Sequence, residues 1–301
     1  MNLTTTKTNL YQPWFIQQRR NAINTTKKLQ NSRKAVTTII AFFLLAFLPL
    51  LSVAQTTTRY NDGYITIYKV TNTAALPSTG TAIVTEEYAP AGGAPNYVLA
   101  LPSSTTTLGA NDIVLAGTST SSGSMSRSEN GRYLLIPGYK ALIGAANTTF
   151  STNGAIRTLN GTGTIGAGLN QSGTWMTANS LRGATSDDGT NYWISGASTG
   201  IEASPNGTMT VVSTTSTNTR VINIFNGELY YSTGSGTQGI YKVGSGKPII
   251  TSQTSVNQIA ITGPTAYSFS PDGLTCYSLN AANILKFHGI CNLCANNEVP
   301  K

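Results

Sequence analysis

Apolar and polar positions alternate with a period of two along much of this chain. Tyr64-Ile65-Thr66-Ile67-Tyr68-Lys69-Val70 alternates, as does Thr81-Ala82-Ile83-Val84. Val98-Leu99-Ala100-Leu101 and Ile113-Val114-Leu115-Ala116 follow, with Gly and Ser clusters between them. Neighbouring side chains on a strand face opposite sides, so this pattern predicts half-buried strands. After residue 54 no stretch carries the 3.6-residue apolar spacing of an amphipathic helix.

A hairpin signal returns between the strands. Ser128-Glu129-Asn130-Gly131, Ser186-Asp187-Asp188-Gly189, Phe225-Asn226-Gly227 and Ser270-Pro271-Asp272-Gly273 each precede an extended, aromatic-containing run. Asp-Gly or Asn-Gly between extended runs predicts a tight turn whose two central residues both take positive φ. A second element recurs: Ile67-Tyr68-Lys69-Val70 returns as Ile240-Tyr241-Lys242-Val243 and, more loosely, as Ile284-Leu285-Lys286-Phe287. The later two copies follow their hairpin glycines at the distance expected of a third strand in a four-stranded sheet. Small repeated sheets that cannot bury their own apolar faces predict the blades of a β-propeller. At about 40–45 residues per blade, residues 55–287 hold five to six four-stranded antiparallel blades. The last residues, 288–301, lack blade-like alternation and read as an aberrant tail, which puts ring closure at the C-terminus in question.

Charge changes the picture at the N-terminus. The chain of 301 residues has a formal net charge of +8. Its first 54 residues hold Lys7, Arg19, Arg20, Lys27, Lys28, Arg33 and Lys34 and no acid, whereas the rest is nearly neutral. The basic character therefore belongs to a leader and gathers no phosphates, which excludes a nucleic-acid partner. Residues 35–53 are uncharged, and Ser52-Val53-Ala54 offers small residues before Gln55. That order predicts a signal peptide over 1–54 with a long basic region, cleaved to leave no stable membrane span, and a secreted or cell-surface protein. A retained anchor is the rival; the dense apolar part, 39–51, is short for a span of about 20 residues.

Ser270-Pro271-Asp272-Gly273-Leu274-Thr275-Cys276-Tyr277 resembles the S-P-D-G-x-x-x-Y hairpin of surface-layer and periplasmic propeller repeats. More specifically, residues 63–287 resemble an uncharacterised family of exported bacterial propellers. The likeness is carried by Ile83-Val84-Thr85-Glu86-Glu87-Tyr88-Ala89-Pro90, by Ser126-Arg127-Ser128-Glu129-Asn130-Gly131-Arg132-Tyr133-Leu134-Leu135, and by Arg220-Val221-Ile222-Asn223-Ile224-Phe225-Asn226-Gly227. The small-residue run Thr233-Gly234-Ser235-Gly236-Thr237 belongs to the same likeness. The resemblance implies the propeller fold and no established activity. The chain departs from it after Phe287, where the family continues into a closing blade.

The chemistry-bearing residues are sparse. A Ser-His-Asp device needs a histidine, and His288 beside the tail is the only one. Glu86-Glu87 lies on a predicted strand, where the two face opposite sides and one meets solvent. Asp187, Asp188 and Asp272 fall in turns, where aspartate is favoured for bonding nearby amides. Cys291-Asn292-Leu293-Cys294 is a lone C-x-x-C; with Cys276 and His288 it could in principle complete a zinc set, but one knuckle is weak support. No cofactor and no metal is expected. Trp193, Tyr192, Tyr230 and Tyr231 are expected in the core. Arg182 and Arg220 are the most informative pair. Each lies at the same offset before its hairpin glycine, so both should sit at one height around the axis. There they either bond carbonyls of adjoining blades or grip an anionic ligand.

These readings converge on an exported, non-enzymatic propeller module for binding or adhesion at the cell surface or outside the cell, with a protein or glycan as ligand. A carbohydrate-active or phosphoester hydrolase with a channel site is the alternative, and a truncated gene product the third.

Overall fold

The computed structural model describes residues 60–71, 75–171, 181–280 and 283–288. The expected leader and residues 289–301, with Cys291 and Cys294, lie outside them.

Five blades of small antiparallel sheets follow one another along the chain. The first combines β1 (Ile65–Val70), β2 (Gly80–Thr81), β3 (Ile83–Tyr88), β4 (Tyr97–Ala100) and β5 (Leu115–Ala116). In it β3 lies between β1 and β4, while β2 pairs with β5. The second holds β6 (Ser126–Arg127), β7 (Tyr133–Tyr139), β8 (Gly154–Asn160) and β9 (Ile165–Asn170). The third holds β10 (Leu181–Ser186), β11 (Tyr192–Gly196), β12 (Ile201–Ser204) and β13 (Thr210–Ser213). The fourth holds β14 (Thr219–Phe225), β15 (Glu228–Thr233), β16 (Gly239–Val243) and β17 (Ser255–Ala260). The fifth holds β18 (Ala266–Phe269), β19 (Thr275–Leu279) and β20 (Ile284–His288). Short 3-10 turns at Asn147–Thr152 and Pro205–Gly207 are the helical segments among the described residues. The protein is an all-β, five-bladed propeller, at the lower of the two expected blade numbers.

Within each of the last four blades the strands pair in chain order. Their first strands gather together: β10 packs on β6 and β14, and β14 on β18. The Ser124 amide donates to the Arg182 carbonyl at 2.8 Å, joining the segment just before β6 to β10.

Alternation along a strand explains why blades stack. On β15, Tyr230 joins an apolar cluster shared with Tyr267 and Cys276 of the next blade. Its neighbour Tyr231 joins the cluster shared with Trp193 and Ile201 of the preceding one. Val221 and Ile222 on β14, and Ile240 and Tyr241 on β16, divide in the same way. A middle blade is therefore apolar on both faces, and each face is covered by a neighbour. The expected core aromatics Tyr192, Trp193, Tyr230 and Tyr231 are all buried. The end blades differ. Ile65 and Ile67 of β1 are 56% and 38% exposed, and Ile284 of β20 is 77% exposed.

Three expectations need correction. First, of the four expected hairpin turns, Asn226-Gly227 alone has both turn residues at positive φ, 49° and 74°. Gly131, Gly189 and Gly273 take positive φ alone, because their loops are longer and a serine organises them. Ser270 Oγ accepts from the Thr275 amide at 2.9 Å and donates to Asp272 Oδ1, which accepts from the Leu274 amide at 3.0 Å. Ser128, Asn130, Arg132 and Tyr133 repeat that arrangement. Second, Ile67-Tyr68-Lys69-Val70 lies in the first strand of its blade, whereas Ile240-Tyr241-Lys242-Val243 and Ile284-Leu285-Lys286-Phe287 lie in third strands. Third, Glu86 and Glu87 are both buried, at 7% and 0% exposure. Each finds a partner on its own side of β3: Lys69 for Glu86, and Asn61 for Glu87.

Candidate functional site

Arg182 and Arg220 are each the second residue of a first strand. Both fall where pairing slips. On β10, Leu181 opposes Gly196 and Gly183 opposes Ser195, so Arg182 is the extra residue of a bulge. On β14 the register shifts between Thr219 and Ile222, around Arg220 and Val221. A bulge bends the strand and re-aims its side chains, and bulges gather next to functional sites. Small buried residues after Arg182 bring the strands close. A Cβ on Gly183 would come within 3.0 Å of the Arg220 carbonyl.

The two guanidiniums are not equivalently satisfied. Arg182 Nη1 donates to the Asn218 side chain and, at 3.2 Å, to the Thr219 carbonyl of the next blade. Burial holds its pKa below the ordinary arginine value, and the nearby charge of Arg220 pushes it the same way. Arg220 Nε is buried against Gly234 and donates to no acceptor among the described residues.

A third arginine escaped the sequence reading. Arg157 of β8 is wholly buried and donates to the carbonyls of Asn111 and Asp112 at 3.0 Å and of Ala167 at 2.7 Å. Its pKa is pushed down to about 10 by burial, opposed by the Asp112 charge. Its ring of carbonyls makes it a tie between the first two blades. The signal was present in the sequence: Arg157 is the sole charged residue between Lys140 and Arg182.

The remaining candidates resolve into local roles. Lys69 bridges Glu86 at 2.6 Å; that contact and the Tyr88 hydroxyl hold the Glu86 carboxyl below its usual range. Asp187 accepts from Asn191 Nδ2 at 2.8 Å, and Asp188 from the Thr190 amide at 2.9 Å, so both organise their turn. His288 lies in β20, opposite Thr275, which extends the last blade one residue beyond the expected boundary. Cys276 is a buried free thiol whose pKa burial pushes up to about 12. Among the described residues no three His, Cys, Asp or Glu side chains gather as a metal site.

At the turn end of the first strands, β6, β14 and β18 border a cavity of about 780 Å³. Its wall includes Phe225, Phe269 and Asn223, and the turn residues Glu129, Asn130 and Asn226. Glu129 pairs with Lys247.

No family model matches this chain, and no curated protein does. Solved structures match it at low identity and low TM-score. One is a proposed 6-phosphogluconolactonase from Bacteroides uniformis, at 13% identity and a TM-score of 0.40, covering 71% of this chain and 65% of that one. Another is the extracellular domain of a proposed one-component system from B. thetaiotaomicron, at 13% identity and 0.39, covering 70% of this chain and 27% of that one. A chain of the mitotic checkpoint complex matches at 9% identity and 0.38, covering 70% and 71%. This chain thus spans about two thirds of the first of these relatives and about a quarter of the second. At such identity and overlap the likeness says nothing about activity.

Proposed function

We propose that this chain is an exported, non-enzymatic propeller module that binds an anionic ligand through Arg182 and Arg220. The observation that carries this reading is the unpartnered, buried Arg220 Nε beside a second guanidinium that feels its charge. Two cations held together in a partly dry place repel each other, and an anion between them removes that cost. The planar fork of arginine suits a carboxylate or phosphate ester taken in bidentate fashion. Export is supported by the basic-then-apolar order of residues 1–54. No described helix is long and apolar enough to cross a membrane.

The test is calorimetric titration of the protein with inorganic phosphate and with galacturonate, at low and moderate salt. The expected result is saturable binding that Arg220→Gln weakens at unchanged melting temperature. Absence of binding with both probes, or binding that survives Arg182→Gln/Arg220→Gln, would overturn the ligand role and leave the pair as ties between blades. Turnover of a phosphoester or glycoside by the purified protein would replace the non-enzymatic reading with that of a hydrolase.

A further inference from the structure

The cavity at the turn end begins three residues beyond Arg220 on β14, at Asn223, about 10 Å along the strand. Its volume of about 780 Å³ is that of a small-ligand pocket. Its chemistry differs from that of the arginine end in each respect that matters for a ligand. The Phe225 and Phe269 rings border it with centroids 4.8 Å apart and planes tilted by 33°. Phe269 is braced from behind by Tyr230, at 5.0 Å. The half-buried pair is therefore fixed in position and still lines open space.

The polar groups around this aromatic wall are amides, serine hydroxyls, the Glu129 carboxylate and the Arg127 guanidinium. Asn223 and Asn226 flank Phe225 on β14 and its turn, and Asn130 faces them from the second blade. Asn130 spends its Oδ1 on the Ser128 hydroxyl and the Arg132 amide, which leaves its NH2 for a ligand. Glu129 meets Lys247 through Oε2, which neutralises it and leaves Oε1 as an acceptor. Arg127 turns its Nε to the Gly131 carbonyl at 3.3 Å.

We infer that this cavity is a site for a neutral saccharide. A pyranose offers C–H groups on one face and hydroxyls at its rim, each both donor and acceptor. A rigid aromatic wall takes the apolar face. Side-chain amides match the rim, because each supplies a donor and an acceptor a short distance apart. The lining holds one acid, Glu129, and one base, Arg127, so it carries no net charge to attract an anionic sugar or nucleotide. This site stands apart from the proposed anion site and does not depend on it.

The experiment titrates the protein with glucose, galactose, mannose and N-acetylglucosamine, and their β-linked disaccharides, with galacturonate and adenosine as contrasts. Calorimetry and ligand-observed magnetic resonance read the binding. Asn226→Gly removes one amide and keeps the positive φ of the turn, and Glu129→Gln keeps the shape of the carboxylate. Each is expected to weaken binding of a neutral sugar about tenfold, the loss of one hydrogen bond, with the melting temperature unchanged. Arg182→Gln/Arg220→Gln is expected to leave sugar binding intact, so failure at either site is read separately. The inference falls if no neutral sugar binds at about 10 mM, the weak limit of useful recognition. It also falls if adenosine or galacturonate binds in preference, or if sugar binding is indifferent to both cavity variants.

Discussion

Arg157 Nη2 donates to the Asp112 carbonyl at 3.0 Å, so a buried cation on the second blade is held by the backbone between β4 and β5 of the first. The same side chain reaches Ala167, where β9 bulges: Ile156 opposes Leu169, while Thr158 opposes Gly166. The bulge frees a carbonyl that the ladder does not use, and the guanidinium takes it up. Arg157→Met would leave these buried carbonyls without donors. The expected loss is about 3 kcal/mol or more, read from the urea midpoint at unchanged slope. Arg157→Lys is expected to recover only a minor part, because an ammonium cannot reach carbonyls spread around a planar fork.

Two of the serine-organised turns, at Ser128 and Ser270, separate by burial. Ser128 is 2% exposed, whereas Ser270 is partly open to solvent. Water can replace the Ser270 hydroxyl but not that of Ser128. Ser270→Ala is expected to cost about 1 kcal/mol and Ser128→Ala about 2, since the second leaves the Tyr133 amide and Asn130 Oδ1 without the hydroxyl in a place closed to water. Equal losses in denaturant melts would count against this account of the turns.

Gly227 tests the backbone alone. Its φ is 74°, and a Cβ there would find nothing nearer than Glu129 Oε1 at 3.9 Å. With no clash, Gly227→Ala measures the left-handed conformation itself, about 1–2 kcal/mol. Asn226→Gly at the preceding position is expected to be close to neutral in the same melts.

These turns also show what the sequence could reveal. The Ser-x-Asp/Asn-Gly spacing is local, because the serine and Asp/Asn side-chain hydrogen bonds that shape it close within five residues of Ser128 or Ser270. It was legible for that reason, and the blades followed from its repetition. The positive φ expected at every turn was not general, since loop length decides it. The bulges at Arg182 and Arg220 were hidden, because a slip of register belongs to the strand opposite as much as to the strand itself. Arg157 was missed because its partners are backbone carbonyls, which carry no residue identity to read. The burial of both Glu86 and Glu87 was misjudged for a related reason: alternation assigns faces, but tertiary contacts with Lys69 and Asn61 decide exposure.

Acid stability follows from the turn carboxylates. At Asp187 burial opposes ionisation, but hydrogen bonds from Asn191 and the Asp188 amide outweigh it and hold the pKa below the ordinary value. At Asp272 the Ser270 hydroxyl and the Leu274 amide act in the same sense. A folded-state pKa below the unfolded one contributes stability that is present above the unfolded value, about 4, and disappears as pH falls through the folded value. The protein is therefore expected to lose melting temperature progressively below about pH 4. Asp187→Asn/Asp272→Asn is expected to be less stable at pH 7 and to show a flatter acid limb. A parallel limb in the double variant would show that other carboxyls carry the effect.

The buried thiol gives a probe of the last blade. Cys276 joins Tyr230 and Ile240 of the fourth blade in one cluster, and its pKa is pushed up to about 12 by burial. The thiolate is the reactive form, so at pH 8 only about one part in ten thousand is competent even before access is considered. With Cys291 and Cys294 changed to serine, labelling of Cys276 by a disulfide reagent should wait on opening of the fourth and fifth blades. Its rate should rise with urea in step with local unfolding and fall short of the global transition, because the exposed apolar face of β20 leaves this blade the less well covered. Ile284→Thr, on that exposed face, is expected to leave the labelling rate nearly unchanged, whereas Tyr267→Ala, inside the cluster, should raise it by an order of magnitude or more. Rapid labelling in the absence of urea would show that the fifth blade is not docked on the fourth in solution.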